Sequence, residues 1–200
     1  MAATPTTTTT TTTNERKRLP WRELILFAIA ALATFTFVAI ADELREGDLD
    51  KWDTAIAIAI HQRQTPVLDY PMITLTAIGT GPTLIAVLLG TSIWCWRRKR
   101  KSFIVIFVAN CVSEFVLNPL LKTIFSRARP TLFEVITRPE TFSFPSGHAM
   151  SAMAVYGGLA AVVIALRPTW RPIAVIAATI LVFGIGISRV YLGAHWPFDV

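Results

Sequence analysis

Two histidines, three cations and a serine–glycine pair stand in the second half of this chain at spacings that suit phosphoryl chemistry. Lys122 and Arg129 are seven residues apart. If that segment is helical, both project from one side, roughly 10 Å apart, and Pro130 ends the helix. Arg189 joins them from the end of a later apolar run. Three converging cations would balance a phosphate, and guanidinium groups match its oxygens in pairs. In Pro145-Ser146-Gly147-His148, Ser146 is a natural N-cap. The free amides of a helix opening at Gly147, with the Ser146 hydroxyl, form an anion cradle.

Asp199 follows His195 by four residues. A carboxylate at that spacing can fix one ring nitrogen and leave the other free to attack. His195 then reads as nucleophile and Asp199 as its orienting partner. His148 is left to protonate the leaving oxygen and afterwards to activate water. Taken singly, these features have plainer readings: a basic juxtamembrane loop, a helix cap, an interfacial histidine beside Trp196. A zinc site fits poorly, because two histidines and one aspartate have no cysteine nearby and the cations repel a metal. No metal and no cofactor is expected.

The elements that must position these groups are membrane spans. The 200 residues are 53% apolar and 16% charged, with a mean hydropathy of +0.53, whereas soluble domains carry about 25% charge. Several runs reach the ~18 apolar residues of a span. The expected fold is all-α, a polytopic transmembrane helical bundle. Spans are expected over residues 24–41, 71–96, 102–121, 147–166 and 173–191. Gly79, Gly81 and Pro82 are expected to bend the second. The acidic stretch 42–70 holds one short apolar segment, Thr54 to Ile60, that reads as a helix at the interface. Asn110, Glu114 and Asn118 share one face of the third span and read as a polar stripe between spans, with a pairing of Glu114 to a buried cation as the alternative. Cys95 and Cys111 read as packing residues. Residues 1–20, threonine-rich and then basic, read as a disordered tail, leaving 21–200 as the membrane domain.

The net charge of +6 does not predict a nucleic-acid partner, because the cations cluster at the ends of apolar runs. The partners implied are the bilayer and a lipid phosphate or diphosphate. The positive-inside rule puts the N-terminal flank, residues 97–101 and residues 167–171 in the cytoplasm. All the candidate chemical groups then fall on the other, extracytoplasmic face, in a cell membrane.

Three segments resemble the motifs of the type 2 phosphatidic acid phosphatase superfamily, integral membrane lipid phosphate phosphatases related to vanadium haloperoxidases. They are Lys122 to Pro130 (KTIFSRARP), Pro145 to His148 (PSGH) and Ser188 to Asp199 (SRVYLGAHWPFD). The resemblance covers about half the chain, from the third span onward. It implies metal-independent hydrolysis of a phosphomonoester or diphosphate, with Lys122, Arg129, Ser146, Gly147 and Arg189 binding phosphate. His195 would be the nucleophile, Asp199 its partner and His148 the acid. Membrane members usually carry six spans, so a sixth is expected to be missing after Asp199. Which lipid phosphate is the substrate, and whether phosphate passes to water or to another acceptor, stays open. A noncatalytic lipid-phosphate binder is the alternative from another class.

Overall fold

The computed structural model describes residues 21–132 and 141–200, and every regular element among them is helical. The tail expected over residues 1–20 lies outside the described residues. Met1–Ala39 and Ile40–Val200 form two units. Helix α1 (Trp21–Glu46) begins in the first. There it exposes Leu26, Phe27, Leu32 and Phe35, as a helix does when its solvent is hydrocarbon.

The second unit contains α2 (Asp50–His61), α3 (Pro66–Ile78), α4 (Gly81–Arg97) and α5 (Lys101–Phe125). After the loop come α6 (Gly147–Ala152), a π turn (Met153–Gly157) and α7 (Gly158–Leu166), which run on as one span. Helix α8 (Arg171–Tyr191) follows, and a 3₁₀ turn, Pro197–Asp199, closes the chain. Among the described residues four stretches are long and apolar enough to cross a bilayer, and α3–α4, bent by 54°, passes the same test when taken as one broken span. The protein is an integral membrane helical bundle.

Two expectations about boundaries change. The second span starts at Pro66, capped by Thr65, whose side chain accepts from the Leu68 amide at 3.4 Å. It breaks at Gly79–Thr80, where Thr80 is extended. A Cβ at Gly79 would lie 2.7 Å from Ile185 Cγ2, so the bend is seated against α8. The short apolar segment of the acidic stretch becomes α2, but it does not merely rest on a surface. Asp53 and Ala57 are buried.

The core gathers Leu84, Phe107, Ala152, Val155, Tyr156 and Ile185, with Cys111 packed against it. Cys95 is buried in α4. The polar stripe of α5 ties this helix to the next span. Asn110 Nδ2 donates to Ala154 O inside the π turn at 2.8 Å, Glu114 bonds Ser151, and Asn118 Nδ2 reaches Pro145 O at 3.4 Å. Glu114 therefore meets a hydroxyl, the stripe reading rather than the buried cation. Such bonds stand in for the hydrophobic drive that lipid removes. Gly158 lets the helices close up, since a Cβ there would sit 2.5 Å from the Phe107 ring.

Gly158→Ala should therefore cost about 1–3 kcal/mol by overpacking. Thermal unfolding in detergent checks this, and Phe107→Leu in the same chain should recover part of the loss.

Candidate active site

The site forms at the end of the bundle opposite the basic turns. Helix α5 brings Lys122 there in its last turn. The helix then stops at Ser126, whose φ of 47° is left-handed and whose amide closes on Lys122 O at 2.8 Å. This corrects the expectation that Pro130 ends the helix and that Lys122 and Arg129 share a helical face. Arg129 lies in the loop beyond, and the loop's turn aims it back toward Lys122.

Both cations are held by carbonyl oxygens. Lys122 Nζ donates to Phe142 O (2.6 Å) and Ser143 O (3.2 Å). Arg129 donates to Thr141 O and Ala194 O, each at 2.7 Å. Arg189, in the last turn of α8, donates to Thr76 Oγ1 of α3 at 2.7 Å. Among the described residues its buried Nε has no hydrogen-bond partner, and neither does the buried Ser146 Oγ. Ser146 is the N-cap residue of α6 as expected, but its hydroxyl makes no cap bond. Buried polar atoms are normally paired, so these two are available to a ligand. Gly147 packs close to Asn118: a Cβ there would lie 3.3 Å from Asn118 Oδ1, so the amide would have to shift by a few tenths of an ångström.

The three motif segments are stitched together directly. The Ser146 amide donates to Asp199 O at 2.8 Å, and the Ser143 amide to Arg127 O at 2.8 Å. His148, in the first turn of α6, lies within electrostatic range of Arg189, His195 and Arg129. Lys122 is within range of Arg129 and Asp199. All eight residues singled out in the sequence fall in this cluster.

His195 is 3% exposed. Its Nε2 stands 3.2 Å from Arg129 Nη1. A guanidinium only donates, so Nε2 presents a lone pair. The proton is then on Nδ1, which faces Asp199 Oδ2 at 3.4 Å. Burial, helped by Arg129 and Lys122 and opposed by Asp199, lowers the His195 pKa to about 4. The ring is neutral at pH 7, with its unprotonated nitrogen turned toward the cations and accepting from Arg129.

Asp199 has more partners than sequence reading assigned. Burial alone would raise its pKa, but bonds from His195 and Ser143 and the charge of Arg127 outweigh it and hold the carboxylate below its usual range. The Ser143 hydroxyl and the Trp196 amide also donate to Oδ2. Arg127 Nη1 donates to Oδ1 at 2.8 Å, and Arg127 Nη2 reaches Asp53 Oδ2 at 2.5 Å. Arg127 sits inside the KTIFSRARP segment but was passed over for Arg129. Asp53 is one of seven acidic residues in the stretch 42–70, with nothing in the sequence to mark it. Four cations (Lys122, Arg127, Arg129, Arg189) thus meet two buried carboxylates, Asp53 and Asp199. Counting the exposed Asp50 that also pairs with Arg127, the described residues of the cluster still carry a net positive charge, which suits an anion.

Residues 101–200 match the model of the PAP2 superfamily. The chain belongs to the PAP2 superfamily. It is 30% identical to the phosphatidylglycerophosphatase B of Bacillus subtilis over 82% of each chain. It is 34% identical to the undecaprenyl-diphosphatase of Sulfolobus acidocaldarius over 50% of this chain and 43% of that one. The crystal structure of the transmembrane PAP2-type phosphatidylglycerolphosphate phosphatase from Bacillus subtilis superposes with a TM-score of 0.73 at 28% identity, covering 84% of both chains. That of Aquifex aeolicus LpxE gives 0.59 at 26% identity, over 74% of this chain and 84% of that one. As a PAP2 member the chain shares with the Bacillus structure a transmembrane helical fold.

In protein with ¹⁵N-labelled histidine, the His195 ring should stay neutral across the range above about pH 4 and gain its proton only as pH falls through that value. Nitrogen shifts titrating near the ordinary 6.5 would contradict the burial described.

Proposed function

We propose that this protein is a lipid phosphate phosphatase working through a phosphohistidine. The carrying observation is the lone pair on His195 Nε2, turned toward the cationic cluster with Asp199 behind the ring. In the first step Nε2 bonds to phosphorus while the bond from phosphorus to the lipid oxygen breaks. His148, which takes up a proton when the phosphate dianion lies beside it, gives that proton to the leaving oxygen. In the second, His148 takes a proton from water as the water oxygen bonds to phosphorus, and the nitrogen–phosphorus bond breaks. Phosphate leaves, and the neutral His195 returns.

Lys122, Arg129 and Arg189 hold the phosphoryl oxygens, and the free Ser146 hydroxyl and α6 amides complete the cradle. Because carbonyl oxygens and Thr76 already fix the cations, little reorganisation accompanies charge build-up in the transition state. No metal is needed to neutralise that charge.

Lipid as substrate is supported by the relatives' activities and by a cavity of about 700 Å³ between α5 and α6–α7. Its walls are largely apolar, including Phe103, Phe107, Leu117 and Val162. Met150 lines its upper end and touches Asn118, the neighbour of Gly147. A hydrocarbon chain in this cavity would hang directly below the cradle. The face is inferred from the chain direction. The ends of α4 and α7 and the starts of α5 and α8 carry the basic turns, while the site lies at the other end. The positive-inside rule then makes the site extracytoplasmic, in a cell membrane.

With ³²P-labelled substrate, wild-type protein should release phosphate, and His195→Ala should release almost none and take up no label. His148→Ala should lose ~10²–10⁴-fold in turnover yet retain label when the leaving group is p-nitrophenolate, which needs no proton. Label on the His195→Ala protein would remove His195 as nucleophile. A separate outcome concerns the cavity. Ala161→Phe should raise KM for a long-chain lipid phosphate several-fold and leave p-nitrophenyl phosphate unaffected, as steady-state kinetics in detergent would show.

A further inference from the structure

Helix α2 plays no part in the reaction just described, yet Asp53 on it has no exposed surface. Both its oxygens are spent on groups around the nucleophile. Oδ1 accepts from the Phe198 amide at 2.9 Å, one residue before Asp199. Oδ2 accepts from Arg127 Nη2, whose other terminal nitrogen donates to Asp199 Oδ1 at 2.8 Å. Arg127 is enclosed further by Asp50 at 3.2 Å and by the Trp196 ring, whose centroid is 5.7 Å away. The segment after α2 is sewn to the same place. Gln64 Nε2 donates to Tyr191 O, and the Tyr191 hydroxyl donates to Asp69 Oδ1 at 2.7 Å.

We propose that Asp53 and Arg127 are positioning residues for the phosphoryl transfer. A continuous chain, Asp53–Arg127–Asp199–His195, lets the docking of α2 set the ring angle and proton affinity of the nucleophile. The inference rests on His195 being that nucleophile. A buried ion cluster is a poor way to gain stability, since well-packed apolar residues often do as well. It is a good way to hold a carboxylate in one orientation, because each oxygen of Asp199 then has its own donor. A planar guanidinium fork can bridge two carboxylates at once, which an ammonium cannot do in that geometry.

The chain also has an electrostatic consequence. His195 is faced by Asp199 on its own turn, Arg129 from the loop after α5, Lys122 from α5 and His148 from α6. Asp199 is faced by Arg127, Arg129, Lys122, His195, Ser143 and Asp53. Without Arg127, less of the Asp199 charge is neutralised. His195 then keeps its proton to higher pH, and the acid limb of the rate profile moves upward.

The test compares full-length Arg127→Lys, Arg127→Gln and Asp53→Asn with the parent protein in detergent, using a lipid phosphate. Phosphate release is normalised to folded protein. Arg127→Lys and Asp53→Asn should lower kcat by about 10- to 100-fold through misplacement of the ring, with KM nearly unchanged. Arg127→Gln should move the acid limb of kcat/KM up by about half a unit or more. Turnover and pH profiles that superimpose on the parent's would overturn the proposal, even with lowered thermal stability. Should the Arg127 variants fail to fold, Asp53→Asn carries the test, since Arg127 keeps Asp199 and Asp50. A parent that releases no phosphate would instead defeat the phosphatase reading itself.

Discussion

Asp199 is a carboxylate whose side chain is closed off from solvent, and an isolated charge in that position would cost several kcal/mol. The structure keeps it ionised by surrounding it with donors: Arg127 on one oxygen, and Ser143, Trp196 and His195 on the other. Those donors come from the loop after α5, the loop before α6 and the final turn. The need to satisfy one buried charge therefore draws together all three segments that carry the chemistry. The bond from the Ser146 amide to Asp199 O fixes the cradle to the same residue through its backbone.

The cations are handled in the opposite way. Among the described residues Lys122 and Arg129 are paired not with carboxylates but with carbonyl oxygens of residues 141–143 and 194. A carbonyl fixes a cation's position without cancelling its charge. The positive excess thus stays uncancelled, as the proposed phosphate binding requires, and the cations are already fixed in place. Only Arg127 is fully committed to carboxylates, which separates it functionally from the three cations of the cradle.

The membrane sets the frame for this arrangement. Phe115 and Phe183 are exposed on the bundle's outside, and polar groups such as Asn110, Glu114 and Asn118 turn toward a neighbouring helix. In a solvent without hydrogen-bonding capacity, apolar burial cannot rank one helix packing above another, so small residues and these polar pairs do. Gly158 against Phe107 and Gly79 against Ile185 are the places where backbone closeness is required.

The amino-acid sequence alone determined the class of the fold and named the residues on which the proposed chemistry rests. Hydropathy is a local property, so the spans were legible from run length, and a histidine, serine or arginine carries its reactivity wherever it stands. The i to i+4 spacing even gave the pairing of His195 with Asp199, because one turn is a local distance. What only the tertiary structure decided are relations between residues far apart in the chain. The left-handed turn at Ser126, not Pro130, aims Arg129, and no local signal distinguished them. Asp53 became the one fully buried acid of its stretch only because α2 docks beside Arg127, which lies 74 positions away. Burial, and with it the lowered proton affinity of His195, depends on which surfaces meet. That is fixed by packing over the whole chain, and no window of sequence contains it.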